Sequence, residues 1–225
     1  MPAEATLNPG TVIAVDGPAA SGKGSLGRRL AEHFGLAYLD TGLLYRATGR
    51  RVLEQGADPG DVAAAANCAR KLRLEDLDSE TLRDDETAKA AGIVAAHPGV
   101  RTALVDVQRR FADDPPGGAP GAVLDGRDIG TVICPDAPIK IFVEADIEVR
   151  ARRRHKELQA RGLKSIYSRV LRDMRERDAR DRSRAIAPLV PAEDACVLDT
   201  TEFDEDTVFQ SALAFIASRT PLGSE

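Results

Sequence analysis

The stretch VIAVDGPAASGKGS, residues 12–25, constrains this chain more than any other. TVIAVD (11–16) is a short apolar run rich in β-branched residues that ends in a Gly-Pro turn, and it reads as a buried strand. From Lys23 the spacing turns helical: Leu26, Leu30 and Phe34 fall four apart, and Gly35 is a plausible stop. Strand, glycine-rich loop and helix start in that order aim backbone N–H groups and a positive helix end at one spot, which suits an anion. The loop contains G-x-x-x-x-G-K, whose lysine reaches the β- and γ-phosphates of a nucleotide. A nucleoside triphosphate site is therefore expected over Gly17, Pro18, Ala19, Ala20, Ser21, Gly22, Lys23, Gly24 and Ser25, in place of a purely structural Gly/Pro turn. One residue departs from the common pattern. Gly24 stands where Ser or Thr would ligate magnesium, and a hydroxyl appears only at Ser25. Phosphate oxygens and water can hold Mg2+ instead, so no protein side chain is expected to bind it directly.

Further strands are expected at LAYLD (36–40), AVLD (122–125), IKIFVEA (139–145) and ACVLDT (195–200). A helix is expected over TGLLYRATGRRVLEQG, with Thr41 as its cap. Five apolar strands separated by helices give an α/β fold with a parallel sheet covered on both faces. Ligands of such sheets bind at the carboxyl ends of the strands. Gly17, the pair Asp40 and Thr41, and DGRDIG (125–130) all fall at such ends. The stretch 57–99 is Ala-rich and helical in character, interrupted by the acidic LEDLDSETLRDDE, and DDPPGGAPG (113–121) is a loop.

The chain carries a net charge of −5, unevenly spread. Residues 150–184 hold fourteen Lys/Arg and five acids, a net +9 within a chain that is otherwise −14. A local positive field of this kind suits a polyanion. From 161 to 184 every basic residue except Lys164 is arginine, the side chain suited to bidentate phosphate recognition. In RERDARDRSR (175–184), Arg177, Asp181 and Arg184 fall at i, i+4 and i+7, on one face of a helix. Two guanidinium forks with a carboxylate between them could grip a nucleotide; intrahelical ion pairing explains the alternation but not the arginine bias. Single-strand nucleic-acid binders interleave aromatics for stacking, whereas 150–184 holds only Tyr167 and the chain has no Trp. The guanine-reading N-K-x-D loop is absent, since Asn8 and Asn67 are the only asparagines, and protein-kinase signatures are absent too. A small-molecule kinase remains. Cys68, Cys134 and Cys196 lack metal-ligand spacing and read as structural thiols of a cytoplasmic protein. The N-terminal MPAEATLNPG reads as a loose tail rather than a secretory signal, and no apolar run is long enough to span a membrane.

At this point the chain resembles the bacterial cytidylate kinases, within the nucleoside monophosphate kinases. The resemblance runs from about residue 11 to 218 and rests on DGPAASGKGS, YLDTGLLYR (38–46), DGRDIGTVICPDAPIKIF (125–142) and ERDARDRSRAIAPLVPAEDACVLDT (176–200). It implies a single domain over 1–225 with a three-layer α/β/α core of the P-loop kinase type. It also implies a short monophosphate-binding insert at about 41–115 and an arginine-rich lid at about 148–165. The implied reaction is transfer from ATP to CMP or dCMP, by a monomer using Mg2+. Thr41, Arg46, Arg127 and Arg184 match positions around the acceptor phosphate, Arg177 and Asp181 match sugar positions, and Arg101 and Asp128 match positions at the cytosine ring. With Lys23, the arginines Arg127, Arg184 and Arg154 of the lid are implied to neutralise the transferring phosphoryl group. Two features depart from the family: AAGIVAA puts Gly92 where members commonly have a base-contacting serine, and the insert after residue 70 is short. The acceptor is itself a phosphate, largely dianionic at pH 7, so no general base is needed, and no catalytic Asp or His is expected beside the loop. Alternatives are a UMP, AMP or shikimate kinase, a nucleic-acid binder using 150–184, and a non-catalytic nucleotide-binding regulator.

Overall fold

The computed structural model describes residues 7–78, 82 and 84–219. Residues 1–6 of the expected tail and 79–81 and 83 of the acidic stretch lie outside them. Five strands form one sheet: β1 (Thr11–Asp16), β2 (Ala37–Asp40), β3 (Gly121–Gly126), β4 (Ile139–Glu144) and β5 (Cys196–Asp199), in the order β2-β3-β1-β4-β5. β1 pairs in parallel with β3 from Thr11↔Gly121 to Asp16↔Gly126, and with β4 up to Asp16↔Phe142; β4 pairs in parallel with β5. The carboxyl ends of β1, β3 and β4 therefore lie level, and the loops that follow them open at one edge. The longer helices are α1 (Lys23–Phe34), α2 (Thr41–Glu54), α3 (Val62–Arg70), α4 (Asp85–Val94), α5 (Pro98–Asp113), α6 (Ile147–Ala160), α7 (Tyr167–Arg182) and α8 (Glu205–Arg219).

The chain forms two compact units, one of residues up to Leu39 and from Ala112 onward, the other of Asp40–Phe111. In the first unit, Leu26, Leu30 and Ala31 of α1 and Phe209, Ala212 and Ile216 of α8 close over Ile13, Val15, Val123, Ile139 and Val143 of the sheet. The alternate residues Ala14, Ala122 and Leu124 are fully buried as well, so the central strands are covered on both faces, as their unbroken apolar runs predict. In the second unit α2 packs closely on α4. A Cβ on Gly49 would stand 2.8 Å from the Ala91 nitrogen, so the glycine is what lets the two backbones approach. His97 anchors the start of α5 through its Nε2, 2.9 Å from the Pro59 carbonyl.

Helix starts differ in a way that bears on function. The carboxylates of Asp61, Asp84 and Asp146 accept from the first-turn amides of α3, α4 and α6. The cap of α2 is Asp40, whose side chain accepts from the Gly42 amide; Thr41, the expected cap, is already helical. An aspartate one residue earlier reaches the same orphan donors, which is why the cap moved. α1 and α7 lack such a side-chain cap; α1 starts after Gly22, with φ 96°, and α7 after Ile166.

Candidate functional site

The loop from Gly17 to Ser25 is built by constraints from the elements around it. A Cβ on Gly17 would stand 2.1 Å from the Val143 carbonyl oxygen of β4, so this position admits glycine alone. Ala20 takes a left-handed φ of 58° and Gly22 one of 96°, which turns the chain into α1. Ser21 is fully buried. The amides of an uncapped helix start thus face the mouth of the loop, together with Lys23. Beside the loop lies a cavity of about 750 Å³ whose lining includes Lys23, Gly24, Arg28, Arg153, Phe203 and Phe209. That volume and mixed lining suit a nucleoside joined to its phosphates.

Every strand carries a carboxylate at or next to its carboxyl end, and the sequence reading missed the importance of two of them, Asp125 and Asp16. Asp125, at the end of β3, lies 3.4 Å from Lys23 Nζ through Oδ1 and accepts from the Tyr38 hydroxyl at 2.9 Å through Oδ2. The expectation concerned a catalytic Asp or His; Asp125 stands beside the loop as the ion-pair partner of Lys23. Asp125 is separated from Lys23 by most of the chain between two strands, and only sheet order brings them together. Asp125 also crowds Gly24: a Cβ there would stand 3.0 Å from its Oδ2. Asp16 is buried and accepts from the amides of Ile129 at 2.9 Å and Gly130 at 2.8 Å, pinning the turn that carries Arg127 and Asp128. Both were legible only as acids closing apolar strands.

Burial pushes the Asp16 carboxyl up to about 7, and the nearby Asp128 and Asp125 charges add to it, against the pull of the two amides. Its folded pKa exceeds its ordinary value, so the folded state holds the proton more tightly. The stability this contributes is fully present below about pH 4 and is lost as pH rises through 7. Thermal melts between pH 5 and 8 should show Asp16→Asn gaining on the unsubstituted protein as pH rises; parallel curves would refute this.

A second cluster surrounds Asp181, which is 4% exposed. Arg127 Nε donates to its Oδ2 at 3.2 Å, Arg184 Nη2 lies 2.7 Å from Oδ1, and Arg177 Nε lies 3.9 Å from Oδ2. Arg177, Asp181 and Arg184 come together, and Arg127 joins them from just beyond β3. Arg184, however, lies beyond the end of α7 at Arg182, so it reaches Asp181 from the following turn and not from a shared helical face. The Leu189 amide donates to the Asp181 carbonyl at 2.9 Å and fixes that turn. Asp128 is buried between Arg127 and the turn at Ile129–Ile133.

The arginines of α6 do not behave alike. Arg154 pairs with Glu157 at 2.8 Å. Arg150 is buried, and Arg153 donates to Thr200 Oγ1 at 2.8 Å, whose hydroxyl donates in turn to the Ser21 carbonyl at 2.8 Å. The second unit holds Thr41, buried at the start of α2, Arg46, which donates to the Leu82 carbonyl at 3.0 Å, and Arg101 on α5. Gly92 lies on α4 with nothing within 4 Å of an added Cβ, so a serine would fit there. Among the described residues no group of three or more His, Cys, Asp and Glu could hold a metal ion, and no helix is long and apolar enough to cross a membrane.

A family model described as cytidylate kinase matches residues 13–218. The chain belongs to the cytidylate kinase family. A protein named cytidylate kinase from Paramagnetospirillum magneticum is 61% identical over 93% of this chain and 99% of its own. Another of that name, from Methylocella silvestris, is 60% identical over 92% of this chain and 94% of its own. The crystal structure of an uncharacterized protein from Eubacterium ventriosum shares the fold, with a TM-score of 0.52 at 15% identity over 92% of this chain and 99% of that one. The cytidylate kinase match extends from β1 into α8 and thus takes in both compact units.

Proposed function

We infer that the chain transfers the γ-phosphoryl group of ATP to CMP or dCMP, giving CDP or dCDP. The observation that carries this is the cytidylate kinase match over residues 13–218, on a chain whose uncapped helix and Lys23 form a phosphate cradle. Residues 17–25 take the triphosphate: loop and helix amides hold its oxygens, and Lys23 neutralises charge on the group in transfer. The adjacent cavity takes the adenosine, with Phe203 offering an exposed ring. Arg127 and Arg184 take the CMP phosphate, Arg177 and Asp181 the sugar, and Asp128 the cytosine amino group. Thr41, Arg46 and Arg101 are assigned to the acceptor by the family resemblance alone. Arg154 turns from Glu157 to the phosphates when ATP is bound.

Mg2+ enters with ATP, and the donor set fits an ion that keeps its phosphate and water ligands. Gly24 offers no side-chain oxygen, and Ser25 and Asp125 are side chains that could hold those waters. When bound, the ion neutralises charge on the donor phosphates. The dianionic acceptor needs no base, so the residues contribute alignment, charge and exclusion of water. We place this chemistry in the cytoplasm, in a monomer; none of Cys68, Cys134 and Cys196 forms a disulfide.

A release assay for ADP with Mg2+-ATP and CMP, dCMP, UMP or AMP tests the reading. CMP and dCMP should turn over fastest, with UMP retained as a weak acceptor because Gly92 leaves one base contact unmade. Preference for UMP or AMP would overturn the assignment of Arg101 and Asp128.

A further inference from the structure

Arg150 belongs to the arginine-rich stretch, yet its guanidinium is spent inside the protein. It is 3% exposed and reaches three elements at once. Nε donates to the Ala145 carbonyl just after β4 at 2.8 Å, and Nη1 to the Ala19 carbonyl of the phosphate loop at 3.3 Å. Nη2 donates at 2.6 Å to Oδ2 of Asp178, itself 5% exposed on α7. The second carboxylate oxygen, Oδ1, is buried with no hydrogen-bond partner among the described residues, so Arg150 is what compensates this charge.

A buried ion pair of this kind is poor value for stability alone, because the desolvation of both charges offsets their attraction and an apolar pair of similar volume would serve as well. Its distinctive property is geometric. A planar guanidinium with three fixed acceptors sets distances that an apolar contact leaves loose. Asp178 stands one residue after Arg177 and three before Asp181 on the same helix. Arg153, one turn along α6, reinforces the arrangement by holding Thr200, which holds the Ser21 carbonyl.

We propose that Arg150 and Asp178 are positioning residues for phosphoryl transfer, joined as a pair that fixes the phosphate loop at Ala19 against the turn of α7 presenting Arg177 and Asp181. The pair thereby sets the register between the donor and acceptor phosphates. This rests on the assignment of residues 17–25 to ATP and of Arg177 and Asp181 to CMP.

Four variants test it: Arg150→Lys, Asp178→Asn, Arg150→Met and the double variant Arg150→Met/Asp178→Leu. Each is measured for Tm, kcat per folded molecule, and KM for ATP and for CMP. Misplacing reacting groups by about 1 Å can cost on the order of 10²-fold in rate. The conservative variants should therefore lose about tenfold or more in kcat, with both KM values within about threefold of the unsubstituted protein. The double variant should regain the Tm that Arg150→Met loses, without regaining kcat. A pair needed only for folding would leave kcat per folded molecule unchanged throughout, which overturns the proposal. Lys23→Ala and Arg177→Ala are run alongside. Full turnover in these two would sink the site assignment, whereas their failure with an unaffected Arg150 series would sink the pairing alone.

Discussion

Lys23→Ala should lower kcat on the order of 10²–10³-fold, as removal of a single preorganised donor to a developing charge does. The structure gives this expectation a second component. Lys23 Nζ and Asp125 Oδ1 are 3.4 Å apart, with Asp125 almost wholly buried. Removing the ammonium leaves that carboxylate facing the phosphates of ATP with its charge less compensated. The variant should thus lose ATP affinity as well as turnover. Asp125→Asn in the Lys23→Ala background separates the two: KM for ATP should recover while kcat does not, because the amide removes repulsion but supplies no cation. Steady-state kinetics with CMP held saturating measure both. Turnover within tenfold of the unsubstituted protein would remove Lys23 from the transfer step.

The elements that the sequence reveals are those fixed by local rules. β1, the glycine loop and α1 follow from an apolar β-branched run, a Gly-Pro turn and residues spaced by four, and Gly35 ends α1 in the left-handed region. The limits of the reading are equally physical. Asp40 and Thr41 can both cap a helix, and which of them does so depends on one residue of phase that propensity does not set. The end of α7 lies before Arg184 because Ser183 closes the helix, so the i, i+7 relation to Arg177 holds in number only. Asp125 beside Lys23 and Asp178 beside Arg150 depend on sheet order and helix packing, across separations no local pattern carries. Arg150 reads in the sequence as one more cation for phosphate, and only its burial shows a different use. Gly17 is legible as part of the loop motif, but the reason no side chain is tolerated there, the Val143 carbonyl, comes from a strand more than a hundred residues later.

Asp181→Ala should weaken both CMP and dCMP, by about 10- to 100-fold in KM, the scale of losing a hydrogen bond to a charged group. The three arginines around Asp181 make the effect general. Arg127 and Arg184 are held at 3.2 and 2.7 Å by the two oxygens of this one carboxylate. Without it, their mutual repulsion in a partly buried place spreads the two guanidiniums, and the fork that would meet the acceptor phosphate loses its geometry. That loss does not depend on the sugar, so ribo- and deoxyribonucleotide should suffer together. A sugar contact adds to it in a diagnostic way. If Asp181 accepts from the 3′-hydroxyl, which both acceptors carry, the CMP and dCMP losses stay equal. If it accepts from the 2′-hydroxyl, CMP loses more than dCMP, and the excess measures that bond alone. Asp181→Asn keeps the shape and one acceptor oxygen while removing the charge, so it should retain part of the sugar contact and little of the arginine alignment. Unaltered KM and kcat for both acceptors in Asp181→Ala would show that the cluster of Arg127, Arg177 and Arg184 is a structural ion-pair network and not the acceptor site.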